Sequence, residues 1–397
     1  MNHDPDPHYN VAIIGAGPCG ATAARYAAED ASTILIEKKK TIGVPVQCAG
    51  FLPKHDELEE LMPDADLPDT FHYPASCVQT RTKYQRFIAP TGDSKEFDVD
   101  ADVLDRKRFD QYLAEQAVSA GADLRIGTRV TAINGNTIEI TGMWGSHTIT
   151  ADVIIGADGP HSIVAKAAGL PGVEDDPMGV AHAIAYDMTG VKIDNEAIEM
   201  HFGRNFVPGG YAWIVPHGKT SANIGMGIRK AMCEPGVTSR DYLHRFIEEH
   251  PIASEKLKDG KVTSIIAGIV PVGGAPAKTC TENIMIAGDA AGHLIATNGG
   301  GIPTAMVTGK IAGETAADTV NGKCTVNAYE SRWRSEIGIQ ITTSVYVRKL
   351  MDSMMRSDPM MTAVMNMISP THMKALQRGQ LPDTVKRLLQ GMQKRMG

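Results

Sequence analysis

The sequence predicts an α/β fold with three parts: a discontinuous Rossmann-like domain that binds a dinucleotide, an inserted domain built on an antiparallel β-sheet, and a helical C-terminal region. An apolar run at 11–14 leads through a glycine turn and an alanine-rich stretch to a second apolar run at 33–37, which is the order of a βαβ unit. Between residues 180 and 228, short alternating segments are separated by glycine or proline turns, which is typical of antiparallel strands. Beyond about residue 327 the pattern is helical, and 10 of the 20 methionines fall within 351–397.

The same patterns give the domain boundaries. The dinucleotide-binding pattern continues after the βαβ unit, is interrupted by the alternating strands, and returns with an apolar strand at 283–286. We therefore assign residues 1–75, 101–175 and 268–326 to the dinucleotide-binding domain, 76–100 and 176–267 to a substrate domain, and 327–397 to the C-terminal region.

Composition excludes several classes of protein. The chain has 39 Lys and Arg against 46 Asp and Glu, a net charge of -7, so we expect no nucleic-acid partner. The six cysteines are dispersed without a C-x-x-C pair, which predicts no metal site and a reducing compartment. The N-terminus does not resemble a secretory signal, and no segment has the roughly 18 uncharged apolar residues of a spanning helix. We expect a cytoplasmic protein.

A glycine motif follows the first predicted strand. Gly15 allows a tight turn, Gly17 allows the backbone to approach a pyrophosphate, and Gly20 allows close packing of helix and strand. Glu37 ends the second strand, where a carboxylate can accept hydrogen bonds from a ribose. A glycine-rich turn without a ligand is the alternative, but the strand, the helix and the acidic residue together favour dinucleotide binding.

Two later strands end in an acidic residue within a glycine turn. Asp158 follows the strand at 151–155, and Asp289 follows the strand at 283–286. At the carboxyl end of a strand, such a turn can bring a carboxylate and free backbone N–H groups to a ligand crevice. Each turn alone is commonplace. All three motifs in this order favour a cofactor site.

These motifs, in this order, resemble those of the flavin-dependent hydroxylase and reductase superfamily over roughly residues 10–310. The resemblance implies that the cofactor is FAD, that Asp289 holds its ribityl chain, and that the 299–301 loop approaches the pyrimidine edge of the flavin. Arg106 matches a family arginine that contacts the cofactor, and Val130 matches a position that meets the adenine through its backbone.

Two further segments resemble the geranylgeranyl reductase family. Residues 208–216 match its P-x-x-Y-x-W-x-F-P motif, with Val215 in place of phenylalanine, and residues 47–50 match its cysteine motif beside the isoalloxazine ring. The resemblance implies that Tyr211 and Trp213 bind a prenyl chain, and that Cys48 lies beside the flavin. The FAD-binding residues that it implies are Gly15, Ala16, Gly17, Gly20, Glu37, Cys48, Ala49, Arg106, Val130, Asp158, Asp289, Gly300, Gly301 and Ile302.

The family implies an FAD-dependent reductase that saturates the geranylgeranyl chains of archaeal-type ether phospholipids. We hypothesise hydride transfer from N5 of the reduced flavin to one alkene carbon, with a proton from Cys48, a tyrosine or water reaching the other. The electron donor is left open between NAD(P)H and a reduced ferredoxin, an electron-transfer protein. An FAD monooxygenase and a lipid-binding escort protein are the alternative functions.

Basic residues concentrate near the C-terminus of this acidic chain. Residues 371–397 contain Lys374, Arg378, Lys386, Arg387, Lys394 and Arg395 against Asp383. We interpret them, Lys374 in particular, as candidates for binding a phosphate headgroup or for peripheral attachment to the membrane surface. A solvated helix face is the alternative.

Overall fold

The computed structural model describes residues 7–143, 145–173 and 176–381. These residues form fifteen strands: β1 (His8–Ile14), β2 (Thr33–Ile36), β3 (Phe51–Pro53), β4 (Val78–Ile88), β5 (Ser94–Leu104), β6 (Asp123–Arg125), β7 (Arg129–Asn134), β8 (Thr137–Gly142), β9 (Gly145–Gly156), β10 (Ala181–Thr189), β11 (Ala197–His201), β12 (Tyr211–Gly218), β13 (Ser221–Ile228), β14 (Lys261–Val270) and β15 (Ile284–Ile286). They also form ten α-helices: α1 (Pro18–Ala27), α2 (His55–Leu61), α3 (Arg106–Ser119), α4 (Ile163–Ala167), α5 (Ser239–Glu249), α6 (Ala253–Leu257), α7 (Ile302–Val320), α8 (Ala328–Met354), α9 (Asp358–Met367) and α10 (Pro370–Gln377).

The first sheet is the predicted dinucleotide-binding core. Its order is β6-β2-β1-β9-β8-β7, and β15 pairs with the second half of β9. The pairs among β6, β2, β1, β9 and β15 are parallel. Their apolar runs are buried on both faces, as parallel strands require when helices cover the sheet. The predicted βαβ unit is confirmed by β1, α1 and β2.

Close packing of α1 against α7 sets the position of the cofactor end of this domain. A Cβ atom at Gly309 would lie 2.3 Å from the carbonyl oxygen of Cys19, and one at Gly313 would lie 2.3 Å from that of Ala23. These two glycines therefore let the backbones of the helices approach each other. As a result, the N-terminus of α7 lies beside the glycine turn that begins α1.

The second sheet has the order β14-β10-β13-β12-β11-β4-β5-β3. Its neighbouring strands are antiparallel except for β11 and β4, which are parallel. This confirms an inserted sheet that is mainly antiparallel. Helices α5 and α6 cover one face through a core that includes Tyr242, Phe246 and Leu257. Strand β3 shows that residues 51–53 pair into this sheet, although the sequence boundary places them in the other domain. The domain boundaries themselves stay a prediction.

The C-terminal region is helical, as predicted, through α8, α9 and α10. Three of its methionines, Met361, Met365 and Met373, are buried against aromatic residues of the second sheet, whereas Met351 and Met355 line a cavity. The basic residues Lys386, Arg387, Lys394 and Arg395 lie outside the described residues. Among the helices that the structure describes, none is long and apolar enough to cross a membrane.

Candidate active site

A cavity of about 790 Å³ is lined by residues of both sheets and of α8. A volume of this size falls in the range of ligand sites. The predicted site residues on its wall are Gly15, Gly17, Glu37, Cys48, Ala49, Arg106, Val130, Asp158, Tyr211, Trp213, Asp289, Gly300, Gly301 and Ile302. Ala16, Gly20 and Lys374 do not line it.

The three glycines of the first motif have different structural requirements. Gly15 has a positive φ of 100°, and a Cβ atom at Gly20 would lie 1.8 Å from the carbonyl oxygen of Gly15, so the fold itself requires both. A Cβ atom at Gly17 would meet no protein atom within 4 Å. Because Gly17 lines the cavity, the open space beside it is available to a ligand, and this fits a pyrophosphate held against the backbone.

Glu37 ties the glycine turn to the strand that follows it. Its carboxylate oxygens accept hydrogen bonds from the backbone N–H of Ala16 (2.8 Å) and of Lys39 (2.8 Å). The carbonyl oxygen of Glu37 also accepts a bond from the N–H of Thr128, which brings the segment that contains Val130 to the same end of the cavity. Each carboxylate oxygen has lone pairs left for a ribose hydroxyl.

The carboxylate of Asp289 lines the cavity. Its carboxylate makes no hydrogen bond to any described residue, and burial raises its pKa to about 6, although the nearby Arg106 opposes the shift. A buried carboxylate without a partner is costly, and hydroxyl groups of a ligand would lower that cost. This feature fits a polyol chain such as ribityl.

The loop before α7 brings backbone N–H groups to the same region. Gly299 has a φ of 67°, the N–H of Gly300 donates to Oδ1 of Asn298 (2.7 Å), and Gly301 caps α7 without a side-chain hydrogen bond. The first N–H groups of an α-helix have no partner inside the helix and attract negative charge. The N-terminus of α7 can therefore stabilise an electron-rich ligand edge in the cavity.

Cys48 lies beside the buried guanidinium of Arg106. Its thiol accepts a hydrogen bond from the N–H of Gly50 (3.4 Å). Arg106 is held by Asp110 through paired hydrogen bonds of 3.0 and 3.1 Å. Burial opposes its charge, but Asp110 and Cys48 together outweigh this effect and raise the pKa of Arg106 above its usual value. The arginine therefore stays charged, with its charge compensated by Asp110.

Asp158 has a visible role within the fold. One oxygen accepts a hydrogen bond from the hydroxyl of Ser162 (2.6 Å), and the other accepts bonds from the N–H of Ile163 (2.8 Å) and Val164 (3.3 Å). The residue thus satisfies the first N–H groups of α4. Its contact with a cofactor stays a prediction.

Tyr211 and Trp213 form the aromatic part of an apolar wall. Their rings are 6.0 Å apart, and Nε1 of Trp213 donates to Asn223 (2.8 Å). The hydroxyl of Tyr211 donates to the carbonyl of Asn298, and burial raises its pKa, with the Cys48 thiol a smaller cause. Both aromatic residues therefore face the region of Cys48 and the glycine loop.

Small residues make room beside these rings. In register across three strands, Ala183, Gly227 and Tyr211 form one row, and Ala185, Gly225 and Trp213 form the next. A Cβ atom at Gly225 would lie 2.4 Å from the Trp213 ring, so a larger residue there would displace the indole. Gly225 thus makes room for the indole, whereas Ala183 and Gly227 line the cavity beside Tyr211. This apolar stretch of the wall forms a trough that suits a flexible hydrocarbon chain.

Lys374 is held away from the cavity wall. Its Nζ pairs with the Glu57 carboxylate at 3.0 Å, and Arg378 contacts both Glu57 and Glu60. In this cluster two cations meet two carboxylates. The substrate-binding role of Lys374 stays a prediction.

Among the charged residues on the cavity wall that the sequence analysis missed are Arg229, Arg348 and Asp352. Arg229 directly follows β13, and the other two lie on α8, where no local motif distinguishes them. An arginine at the end of an apolar strand was the only available signal.

Comparisons with known proteins agree with this arrangement. Residues 180–270, which include β10 to β14, match the family model of the geranylgeranyl reductase catalytic domain. Digeranylgeranylglycerophospholipid reductase 2 of Methanopyrus kandleri is 34% identical over 360 residues, which cover 87% of each chain. Digeranylgeranylglycerophospholipid reductase of Methanosarcina acetivorans is 35% identical over 365 residues, which cover 86% of this chain and 84% of the relative.

Solved structures share the fold. A geranylgeranyl bacteriochlorophyll reductase-like protein from Thermoplasma acidophilum matches with a TM-score of 0.81 and 26% identity, covering 97% of this chain and 99% of its own. The halogenase PltM in complex with phloroglucinol and FAD matches with a TM-score of 0.68 at 16% identity, over 89% of this chain and 78% of the halogenase, which shows the fold alone. The predicted fold class is thus confirmed. The chain belongs to the geranylgeranyl reductase family, as its motifs predicted, and so to the oxidoreductases.

Proposed function

We propose that this protein binds FAD and reduces the double bonds of geranylgeranyl chains in an ether-linked glycerophospholipid. The observation that carries the proposal is a cavity with two chemically different walls. One wall presents the glycine turn, Glu37, Asp289 and the N-terminus of α7, and the other is the apolar trough beside Tyr211 and Trp213. The names of the curated relatives supply the lipid class.

The polar wall fits FAD from one end to the other. The open space at Gly17 suits the pyrophosphate, and Glu37 suits the adenosine ribose. The unpartnered carboxylate of Asp289 suits the ribityl hydroxyls. The N-terminus of α7, where Gly301 makes no side-chain cap, suits the electron-rich pyrimidine edge of the flavin.

Reduction of an isolated alkene requires that a hydride and a proton are delivered in a coordinated way, because no neighbouring carbonyl stabilises a carbanion. Bound FAD in its reduced form supplies the hydride. Tyr211 and Trp213 orient the prenyl chain, and the apolar trough excludes water from the reacting carbon atoms. The proton must then come from a protein group or from water.

Cys48 is the group that we propose holds this proton. Tyr211 is less suitable, because its hydroxyl already donates to Asn298 and burial raises its pKa. The thiol lies on the cavity wall beside both Tyr211 and Arg106. Arg106 contacts the thiol and is also paired with Asp110, so its charge is shared between these two groups.

We also propose that the lipid enters from a membrane surface to which the protein attaches peripherally, on the cytoplasmic side. Apolar side chains on α8 and α9 support this, since Leu350 is 44%, Met360 51% and Met367 86% exposed. Met351 and Met355, between them in the chain, line the cavity. Electrons would come from NAD(P)H bound transiently or from a ferredoxin-like carrier.

The test is mass spectrometry of a digeranylgeranylglycerophospholipid after anaerobic incubation with the FAD-loaded, dithionite-reduced protein. We expect products heavier by the mass of H2 for each double bond reduced. A product that gains oxygen when air is admitted would support a monooxygenase instead. A colourless protein that cannot be loaded with FAD would support the escort function.

A further inference from the structure

Two buried arginines lie on the cavity wall, apart from the residues assigned to the cofactor. Arg229 directly follows β13, and Arg348 lies on α8. Their residues are only 5% and 2% exposed, yet both line the cavity. Charged arginines are rarely this buried unless a partner compensates them.

The protein supplies only part of that compensation. Asp352 pairs with Nη1 of Arg229 (3.1 Å) and Nη1 of Arg348 (2.9 Å). The carbonyl oxygen of Met178 accepts from Nε of Arg229 (3.2 Å) and Nη1 of Arg348 (2.6 Å), and that of Gly209 accepts from Nη1 of Arg229. Two cations thus share one buried carboxylate.

Several donors of these guanidinium groups have no partner in the part of the chain that the structure describes. Among the described residues, none accepts a hydrogen bond from Nη2 of Arg229 or Arg348, and the buried Nε of Arg348 is also unpaired. Burial lowers the pKa of Arg229. The carboxylates of Asp352 and Asp176 act in the opposite direction but do not cancel this effect. Among the described residues, the two guanidinium groups therefore keep free donors that a ligand could use.

The position of the cluster connects it to the apolar trough. Arg229 donates to the carbonyl of Gly209, two residues before Tyr211 on the chain. The trough then continues along β12 past Trp213 towards Val215, which packs with Ala49 beside Cys48. A chain in the trough would thus run along β12, with the arginines beyond its Tyr211 end.

We infer that Arg229 and Arg348 bind the phosphate of the lipid headgroup and so orient its prenyl chains in the trough. The inference rests on the proposed function and assigns its headgroup subsite. The planar guanidinium fork suits phosphate oxygens, which would accept from the free Nη2 and Nε donors. The cluster of Lys374 and Arg378 is less suited, because Glu57 and Glu60 already balance its charge.

The test compares two substrates that differ only at the headgroup: digeranylgeranylglycerol carrying a phosphate, and the same diether with a free hydroxyl. For Arg348→Gln and Arg229→Gln we expect KM for the phosphorylated lipid to rise about ten- to a hundredfold, the loss typical of a charge-assisted hydrogen bond. KM for the neutral lipid should change little. Arg348→Lys should recover only part of the loss, because lysine lacks the planar fork.

A matched control is Arg332→Gln, on the same helix but paired with Asp318 and away from the cavity wall. This substitution should change KM for neither lipid. Inorganic phosphate and glycerol 1-phosphate, added as competitors, distinguish a lipid headgroup from free phosphate, since only a lipid site should prefer the intact phospholipid. If a Gln variant unfolds, the Lys variant and the comparison of the two lipids on the wild-type enzyme still test the headgroup assignment.

The headgroup assignment would be overturned if folded variants showed the same rise in KM for both lipids. It would also be overturned if the wild-type enzyme had the same KM for both. An arginine variant that weakens NAD(P)H binding and leaves lipid kinetics unchanged would overturn it as well. By contrast, a wild-type enzyme that reduces neither lipid would refute the proposed function itself. The two failures are therefore distinguishable.

Discussion

The two walls of the cavity use different parts of the chain for recognition. The wall from the first sheet acts largely through backbone groups and carboxylates: the turn at Gly15 and Gly17, the carboxylates of Glu37 and Asp289, and the N-terminus of α7. The wall from the second sheet acts through the shape of apolar side chains around Tyr211. A ligand with many hydrogen-bonding groups suits the first wall, and a hydrocarbon suits the second.

This difference explains why the two sites can be perturbed separately. Removal of a single donor or acceptor atom abolishes a polar contact, whereas the shape of an apolar trough depends on the volume of its side chains. Substitutions on the first wall should therefore alter FAD affinity, and those on the second should alter lipid turnover. Single substitutions can thus distinguish the two forms of recognition.

The largest effect is expected for Asp289→Ala. Loss of a desolvated, charge-assisted partner should weaken FAD binding by about 2–4 kcal/mol. Isothermal titration of the apoprotein with FAD measures this. Unchanged affinity in the variant would remove Asp289 from the cofactor site.

The same carboxylate should make FAD affinity depend on pH. Because the pKa of Asp289 is raised to about 6 in the free protein, and donors on the ligand would lower it, affinity should be constant above that pH. Below it, affinity should fall by about tenfold for each pH unit, as protons compete with the ligand. Asp289→Asn should abolish this dependence, and a variant that retains it would assign the titration to another group.

Gly17 and Gly20 separate cofactor binding from folding. Gly17→Ala adds a methyl group to open space at a φ of -75°, so we expect normal thermal stability but FAD affinity weaker by about 1–2 kcal/mol. Gly20→Ala places a methyl group against the backbone of Gly15, so it should lower the unfolding free energy by about 1–3 kcal/mol or more. Equal behaviour of the two variants in melting and titration experiments would contradict the open space at Gly17.

On the apolar wall, Trp213→Ala should slow lipid turnover by about tenfold while FAD stays bound, since the indole packs in the trough. Trp213→Phe is the matched comparison, because it keeps an aromatic ring while losing the bond to Asn223 and part of the indole volume. Turnover and flavin content are measured on the same preparations. If Trp213→Ala loses FAD or unfolds, its role is packing of the core.

The smallest effect is expected for Cys48→Ser. FAD and its reduction by dithionite should be retained, while lipid hydrogenation slows by several-fold or stops short of full saturation, because a serine hydroxyl is a weaker acid than a thiol. Cys324→Ser, at a partly buried thiol away from the cavity wall, is the control. A wild-type rate and a fully saturated product would leave Cys48 as a packing residue.

The first wall was largely predictable because its signals are local. Gly15 and Gly17 lie in the turn between β1 and α1, Gly20 lies in the first turn of α1, and Asp289 follows a buried strand closely. Such signals depend on a few neighbouring residues. The same holds for Tyr211 and Trp213, which belong to one short motif.

The second wall could not be predicted in full, because its remaining residues meet through long-range packing. Ala185 and Gly225 line up only through the register of β10 and β13. Arg229 and Arg348 meet only because α8 packs at the end of β13. The charge of Lys374 suggested a ligand, but its partner Glu57 is far away in sequence.

The most direct test of the central claim is anaerobic single-turnover oxidation of the reduced, FAD-loaded protein by a digeranylgeranylglycerophospholipid. Flavin absorbance reports the oxidation, and mass spectrometry of the same sample reports the lipid. The account predicts that the flavin is oxidised on mixing, in proportion to the double bonds saturated, and that Trp213→Ala slows both together. Flavin that stays reduced in the presence of the lipid, with no change in lipid mass, would contradict it.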